Sequence, residues 1–194
     1  MGYDIDFDGQ VTVTPPLNAA EVAFLKRFAK TRHCACQSSK WVADETLYCP
    51  PDRRTYCTAS HLDNPGYYCK WEPSDDGTTI QWNEQEKFDD GEEWMQFLIE
   101  EFLKPNANIF TTLIPVINGV AVTDAHLIFE ISGHVLNGVI DAQGEEPDDR
   151  WKLVVKDNVV TVVEPTVTWP VDDEPVIVKS YVVAGEIESG DVKS

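Results

Sequence analysis

Residues 2–16, GYDIDFDGQVTVTPP, decide the fold class. Tyr3, Ile5 and Phe7 alternate with Asp4, Asp6 and Asp8, the period of two expected of a strand with one buried face and one wet face. Asp8-Gly9 reads as a hairpin turn, Val11 and Val13 continue the ladder, and Pro15-Pro16 stops it. Asn18 and Glu21 then stand at capping-box spacing. Behind them Val22, Leu25, Phe28 and Ala29 fall on one helical face that ends near Arg32.

The same order returns further on. Tyr67–Trp71 and Thr78–Trp82 read as strands around the turn Ser74-Asp75-Asp76-Gly77. The acids from Asp89 to Glu93 suit the positive start of a second helix. Trp94, Phe97, Leu98, Phe102 and Leu103 form its inward face, and Pro105 closes it. Each copy opens on Gly-Tyr, at Gly2-Tyr3 and Gly66-Tyr67, so duplication and coincidence are both open readings.

Beyond Pro105 the chain is rich in strand formers. Val120–Ile131, His134–Asp141, Trp151–Val155 and Val159–Val163 are expected strands. Asp157-Asn158 is a turn pair, and Asn137-Gly138 is either a turn or a bulge within a strand. Residues 164–194 alternate short Val/Ile runs with Pro, Gly and acids, and read as a β-rich arm that adds strands to its own sheet or to a neighbour's. The expected architecture is α+β: an antiparallel sheet with two helices in the order ββα-ββα-βββ. One domain spans 1–163, with an irregular cysteine-bearing segment at 34–65, an insertion at 106–133 and the arm at 164–194.

Charge bounds the partners. Asp and Glu number 34 against 15 Lys and Arg, a net charge of −19. The carboxylates cluster at Asp4/Asp6/Asp8, at 89–93, at Glu145, Glu146, Asp148 and Asp149, and at Asp172, Asp173 and Glu174. Such a surface repels nucleic acid and anionic lipid and attracts basic proteins or cations. The N-terminal residues show no signal-peptide pattern, and the apolar stretch 109–122 is broken by Pro115, Asn118 and Gly119. The expectation is a protein without a membrane span, in the host cytoplasm or in a virion.

Five cysteines, Cys34, Cys36, Cys49, Cys57 and Cys69, leave one over after pairing, which disfavours a disulfide framework without a secretion signal. A structural zinc is one alternative, with Cys36, Cys49, Cys57 and His61 as ligands. Zinc takes four thiolate or imidazole donors, and Cys57 and His61 have workable spacing. A disulfide and buried, inert thiols are the other readings, with Cys69 facing the core in the last. Asp4-x-Asp6-x-Asp8-Gly9 copies the first half of an EF-hand loop, but Pro15 stands where the bidentate Glu belongs, so a wet strand face explains it better. Glu145, Glu146, Asp148 and Asp149 are candidate magnesium ligands or plain solvated charge. His126 and His134 are read as satisfied residues rather than ligands. Of six tryptophans, Trp71, Trp82 and Trp94 are expected in the core, whereas Trp41 and Trp169 lie in irregular segments and are expected as exposed anchors.

Several landmarks together resemble a family of small uncharacterised bacterial and phage proteins. They are Gly2-Tyr3-Asp4 with Phe7 and Gly9, Thr14-Pro15-Pro16-Leu17, Thr31-Arg32, Cys69-Lys70-Trp71, Trp82, Glu86-Lys87-Phe88, Trp94, Leu98-Ile99, Phe102-Leu103-Lys104-Pro105, Leu136-Asn137-Gly138, Gln143-Gly144-Glu145 and Asp157-Asn158. Residues 34–65, 106–133 and 164–194 depart from that pattern. The resemblance implies an α+β domain and a phage or mobile-element origin, and it implies no activity.

No phosphate loop, nucleophile elbow or nucleotide fingerprint occurs. The reading therefore leans away from an enzyme, toward a phage-encoded acidic protein that binds a basic host or viral protein. Trp41, Trp169, Asp172, Asp173, Glu174, Glu145, Glu146, Asp148 and Asp149 are its candidate contact residues. The alternatives are a virion or assembly component that oligomerises through the arm, and a metal-dependent hydrolase or transferase.

Overall fold

A computed structural model describes residues 4–35, 37, 39–44, 63–111, 133–168 and 178–183. Its centre is strand β1, Asp6–Thr14, which pairs with a partner on each side. Phe7, Val11 and Val13 are buried while Asp6, Asp8, Gln10, Thr12 and Thr14 are exposed, as the alternation requires. The Asp8-Gly9 hairpin is corrected: both residues lie inside this one strand, with Gly9 opposite Ile140. Phe7, Val11 and Val13 keep the same parity across Gly9, so the chain never reverses there. The glycine has another use. Its φ is +120°, and a Cβ there would stand 2.7 Å from the Val139 carbonyl oxygen.

Helix α1, Ala19–Lys30, opens on the expected box. The Asn18 side-chain oxygen accepts from the Ala20 and Glu21 amides at 2.9 and 3.0 Å, and the Glu21 carboxylate accepts from the Asn18 amide at 2.7 Å. Two of the orphan donors of the first turn and that of the cap residue are thereby satisfied. The second half departs from a duplicate: two short strands, β2 (Trp71–Pro73) and β3 (Thr79–Trp82), stand where the first half has one long strand. Helix α2, Gly91–Leu98, runs directly into a π-helical stretch, Ile99–Leu103, and a short helix α3 follows at Asn108–Thr111.

The remaining strands are β4 (Val135–Gln143), β5 (Arg150–Lys156), β6 (Val159–Thr168) and β7 (Val178–Val183). Together they form an α+β fold with an antiparallel sheet in the order β2-β3-β1-β4-β5-β6-β7. Asn137-Gly138 lies inside β4, opposite Thr12 and Val11. Asp157-Asn158 is the two-residue turn between β5 and β6, both residues at positive φ, the conformation that such hairpins demand. Strand β6 runs unbroken through residue 164, and β7 pairs back onto it. The expected strand 120–131 lies outside the described residues.

One hydrophobic core gathers Phe7, Val11, Ile80, Ile140 and Leu153 from the sheet with Phe24, Phe28, Trp94, Leu98 and Phe102 from the helices. Phe7 meets Trp71, Trp82, Phe88 and Trp151 edge-on with ring centres 5.1–6.0 Å apart, the arrangement ring quadrupoles favour. The Trp71 indole N–H is satisfied by the Gly91 carbonyl at 2.7 Å. All the sheet residues of this core share one face, so the helices cover that face. Among the described residues no helix covers the other.

Candidate functional site

The face that no described helix covers carries the site. Alternation along β1, β4 and β5 puts Asp6, Asp8, Asp141, Gln143, Arg150 and Lys152 on it. Register then aligns them in two rows: Asp6, Gln143 and Arg150 in one, Asp8, Asp141 and Lys152 in the next. The β4–β5 connection contributes Pro147 and Asp148, and β6 contributes Pro165, around a groove of ≈ 630 Å³.

The rim is fixed by its own hydrogen bonds. Gln143 donates through Nε2 to the carbonyls of Gly144, Glu146 and Asp149 at 2.9, 2.8 and 3.2 Å, while its Oε1 accepts from Arg150 Nε. The Gly144 amide donates to the Asp149 carbonyl at 2.8 Å. Lys152 pairs with Asp141 at 2.5 Å. Both cations thus lean on neighbours within their own rows. Asp6, Asp8 and Asp148 have no ion-pair partner among the described residues, and all three are exposed. The β1 side of the groove is therefore anionic and the β5 side cationic.

Of the contact residues expected from sequence, Asp148 lines this groove. Glu146 is exposed on the same connection, and Asp149 is half-buried there. Glu145 accepts the Asp4 amide at 3.1 Å, which docks the start of the chain against the β4–β5 connection. Trp41 is corrected. It is 5% exposed and belongs to the core, and its indole N–H donates to Glu101 Oε2 at 2.8 Å, so no partner can reach it as an exposed anchor. Trp169, Asp172, Asp173 and Glu174 lie outside the described residues, as do the zinc candidates Cys36, Cys49, Cys57 and His61.

Cys34 and Cys69 are both buried. Burial pushes the Cys69 thiol far above its ordinary value, so it stays protonated and unreactive. Among the described residues, the acids of 145–149 included, no three His, Cys, Asp or Glu side chains converge to hold a metal ion. No described helix is long and apolar enough to cross a membrane.

Sequence reasoning missed Asp141, Arg150 and Lys152, whose strand parity was available but whose register against β1 was not. It also missed Glu101, a 6% exposed carboxylate on the π-helical stretch. Glu101 gathers Trp41, Asn108 (2.8 Å) and Lys40 (3.0 Å). Comparison with known protein families, with curated proteins and with solved structures gives no match.

Proposed function

We propose that this chain is a protein-interaction module that receives a basic segment of a partner protein on the open, acid-lined face of its sheet. The observation that carries this reading is the gathering of Asp6, Asp8 and Asp148, without ion-pair partners among the described residues, around a groove on the face that no described helix covers. In a chain of net charge −19, the long-range field draws a basic partner in and the groove supplies the local match. Arg150 and Lys152 on the far side give the groove polarity. A partner that lays Lys or Arg over β1 and an acid over β5 meets the complementary field. With the origin implied by the resemblance, that partner is a host or viral protein, and binding rather than turnover is the activity.

The test uses a purified, fluorescent Lys/Arg-rich peptide against the full chain and against the triple variant Asp6→Asn/Asp8→Asn/Asp148→Asn. Three solvent-exposed charge pairs at about 0.2–1 kcal/mol each predict binding about 3- to 150-fold weaker in the variant. The wild-type interaction should weaken steeply as salt shortens the screening length below about 10 Å. Equal binding by wild type and variant, or binding indifferent to salt, overturns the proposal.

A further inference from the structure

The chain enters β4 through His134, whose amide, carbonyl and ring Nδ1 are each hydrogen-bonded to a different part of the fold. Its amide donates to the Leu103 carbonyl at 2.7 Å, at the end of the π-helical stretch. Its carbonyl accepts from the Asn158 side chain at 2.8 Å, in the β5–β6 turn. Its ring reaches the corner between β1 and α1. There Nδ1 lies 2.6 Å from the Pro15 carbonyl oxygen, and Nε2 lies 3.5 Å from Glu21 Oε2.

Both ring nitrogens therefore face oxygens that only accept. A carbonyl has no hydrogen to give, and the Glu21 oxygen is the same one that takes the Asn18 amide in the capping box. A neutral imidazole has a single N–H to offer one of these two; the imidazolium offers one to each, through the Nδ1 hydrogen bond to Pro15 and through an ion-pair contact at 3.5 Å from Nε2, which has no hydrogen-bond partner among the described residues. The two side chains are each 4% exposed, so water does little to screen an unfavourable arrangement.

We propose that the His134 imidazolium is a proton-operated latch, fastening the β1–α1 corner to the start of β4 when charged and releasing it when neutral. Among the described residues the charged side chain at ion-pair distance from the ring is Glu21, from α1. The π-helical stretch and the β5–β6 turn present to His134 a carbonyl and an amide, neither of which titrates. Loss of the Nε2 proton leaves a lone pair aimed at a carboxylate in dry surroundings. Either Glu21 then withdraws, opening the box that caps α1, or the ring turns from Pro15; both undo the corner.

Burial alone would lower the affinity of the ring for its proton, but the Glu21 carboxylate and the Pro15 carbonyl outweigh it and hold the imidazole above its ordinary value of 6.5. The sign follows from linkage. A group whose folded pKa is raised stabilises the fold fully below its unfolded value, and that contribution is lost as pH rises through the folded value.

The experiment is an NMR titration of the histidine rings in the full chain, with the His134 signal assigned by its disappearance in His134→Gln. The expected midpoint lies above 6.5 in the wild type and falls in Glu21→Gln, where burial is opposed by Pro15 alone. Thermal midpoints from about pH 6 to about pH 8.5 form the second readout. The wild type should lose stability across that range more steeply than His134→Gln, whose amide keeps a donor without titrating. A wild-type midpoint at or below 6.5, an unmoved midpoint in Glu21→Gln, or parallel melting profiles would each overturn the latch.

Discussion

Glu101→Ala probes how the 39–44 segment is held to the helical layer. The carboxylate accepts from the Trp41 indole at 2.8 Å, the Asn108 amide at 2.8 Å and the Lys40 ammonium at 3.0 Å. These donors do not carry equal weight. Lys40 is a quarter exposed and turns to water once its partner goes, so its share is about 0–1 kcal/mol. The Asn108 bond to a charged acceptor is worth about 1.5 kcal/mol. The Trp41 N–H is buried and would be left without an acceptor, a penalty of about 1–3 kcal/mol. The sum, about 2.5–5.5 kcal/mol, brackets the loss of about 3–5 kcal/mol typical of breaking a buried charged cluster by removing one member. Trp41→Phe deletes the indole N–H together with part of the ring system, so it costs the lost bond, about 1–2 kcal/mol, plus a packing loss for the smaller side chain. In the Glu101→Ala background the same change removes an already orphaned donor, so only the packing loss remains, and that loss cancels in the coupling energy. Urea unfolding followed by circular dichroism gives all four corners of the cycle, with a coupling of about 1–2 kcal/mol expected. A loss below about 1 kcal/mol for Glu101→Ala, or additive single variants, would refute this account of the cluster. Peptide binding should be the same in Trp41→Phe as in the wild type, because the indole is buried away from the open face.

Two further predictions concern the sheet and its β2–β3 turn. A Cβ at Gly138 would meet the Gln10 carbonyl oxygen at 2.5 Å and Val11 Cα at 2.7 Å, so Gly138→Ala forces β1 and β4 apart and should cost about 1–3 kcal/mol; an unchanged urea midpoint would show that the pair is free to spread. Asp76 accepts from the Ser74 hydroxyl, the Thr78 hydroxyl and the Thr78 amide at 2.6, 2.7 and 3.1 Å, and these bonds pull its pKa from 3.8 down to about 2. Its contribution is present above the unfolded value and is lost as pH falls toward the folded one, so a carboxyl-carbon NMR titration should place its midpoint near 2, and an ordinary midpoint would contradict the turn geometry.

What the sequence makes legible is what is decided locally. The two faces of β1, the Asn18–Glu21 box and the Asp157-Asn158 turn depend on neighbours at most a few residues away, and each stands as read. Glycine is ambiguous at the same range. Asp8-Gly9 satisfies the preference of a hairpin turn, yet the reason for Gly9 is the Val139 carbonyl of a strand that arrives about 130 residues later. Trp41 misleads for the same reason: an irregular neighbourhood suggests exposure, while its acceptor Glu101 lies 60 residues away.

The charge shows the same limit more sharply. Composition says that the chain is acidic, and alternation says which acids share a strand face, but neither says which carboxylates remain available. The fold divides them. Asp4 accepts the Lys87 amide, Asp75 takes Lys26, Asp141 takes Lys152, Glu145 takes the Asp4 amide, and Glu21 and Glu101 are buried among donors. Each of these acids holds two parts of the chain together, so the net charge overstates the surface offered to a partner. Asp6, Asp8 and Asp148 are different in kind: they line one groove, are exposed and have no ion-pair partner among the described residues. Neutralising those three should therefore weaken a basic ligand far more than neutralising any three acids chosen for exposure alone.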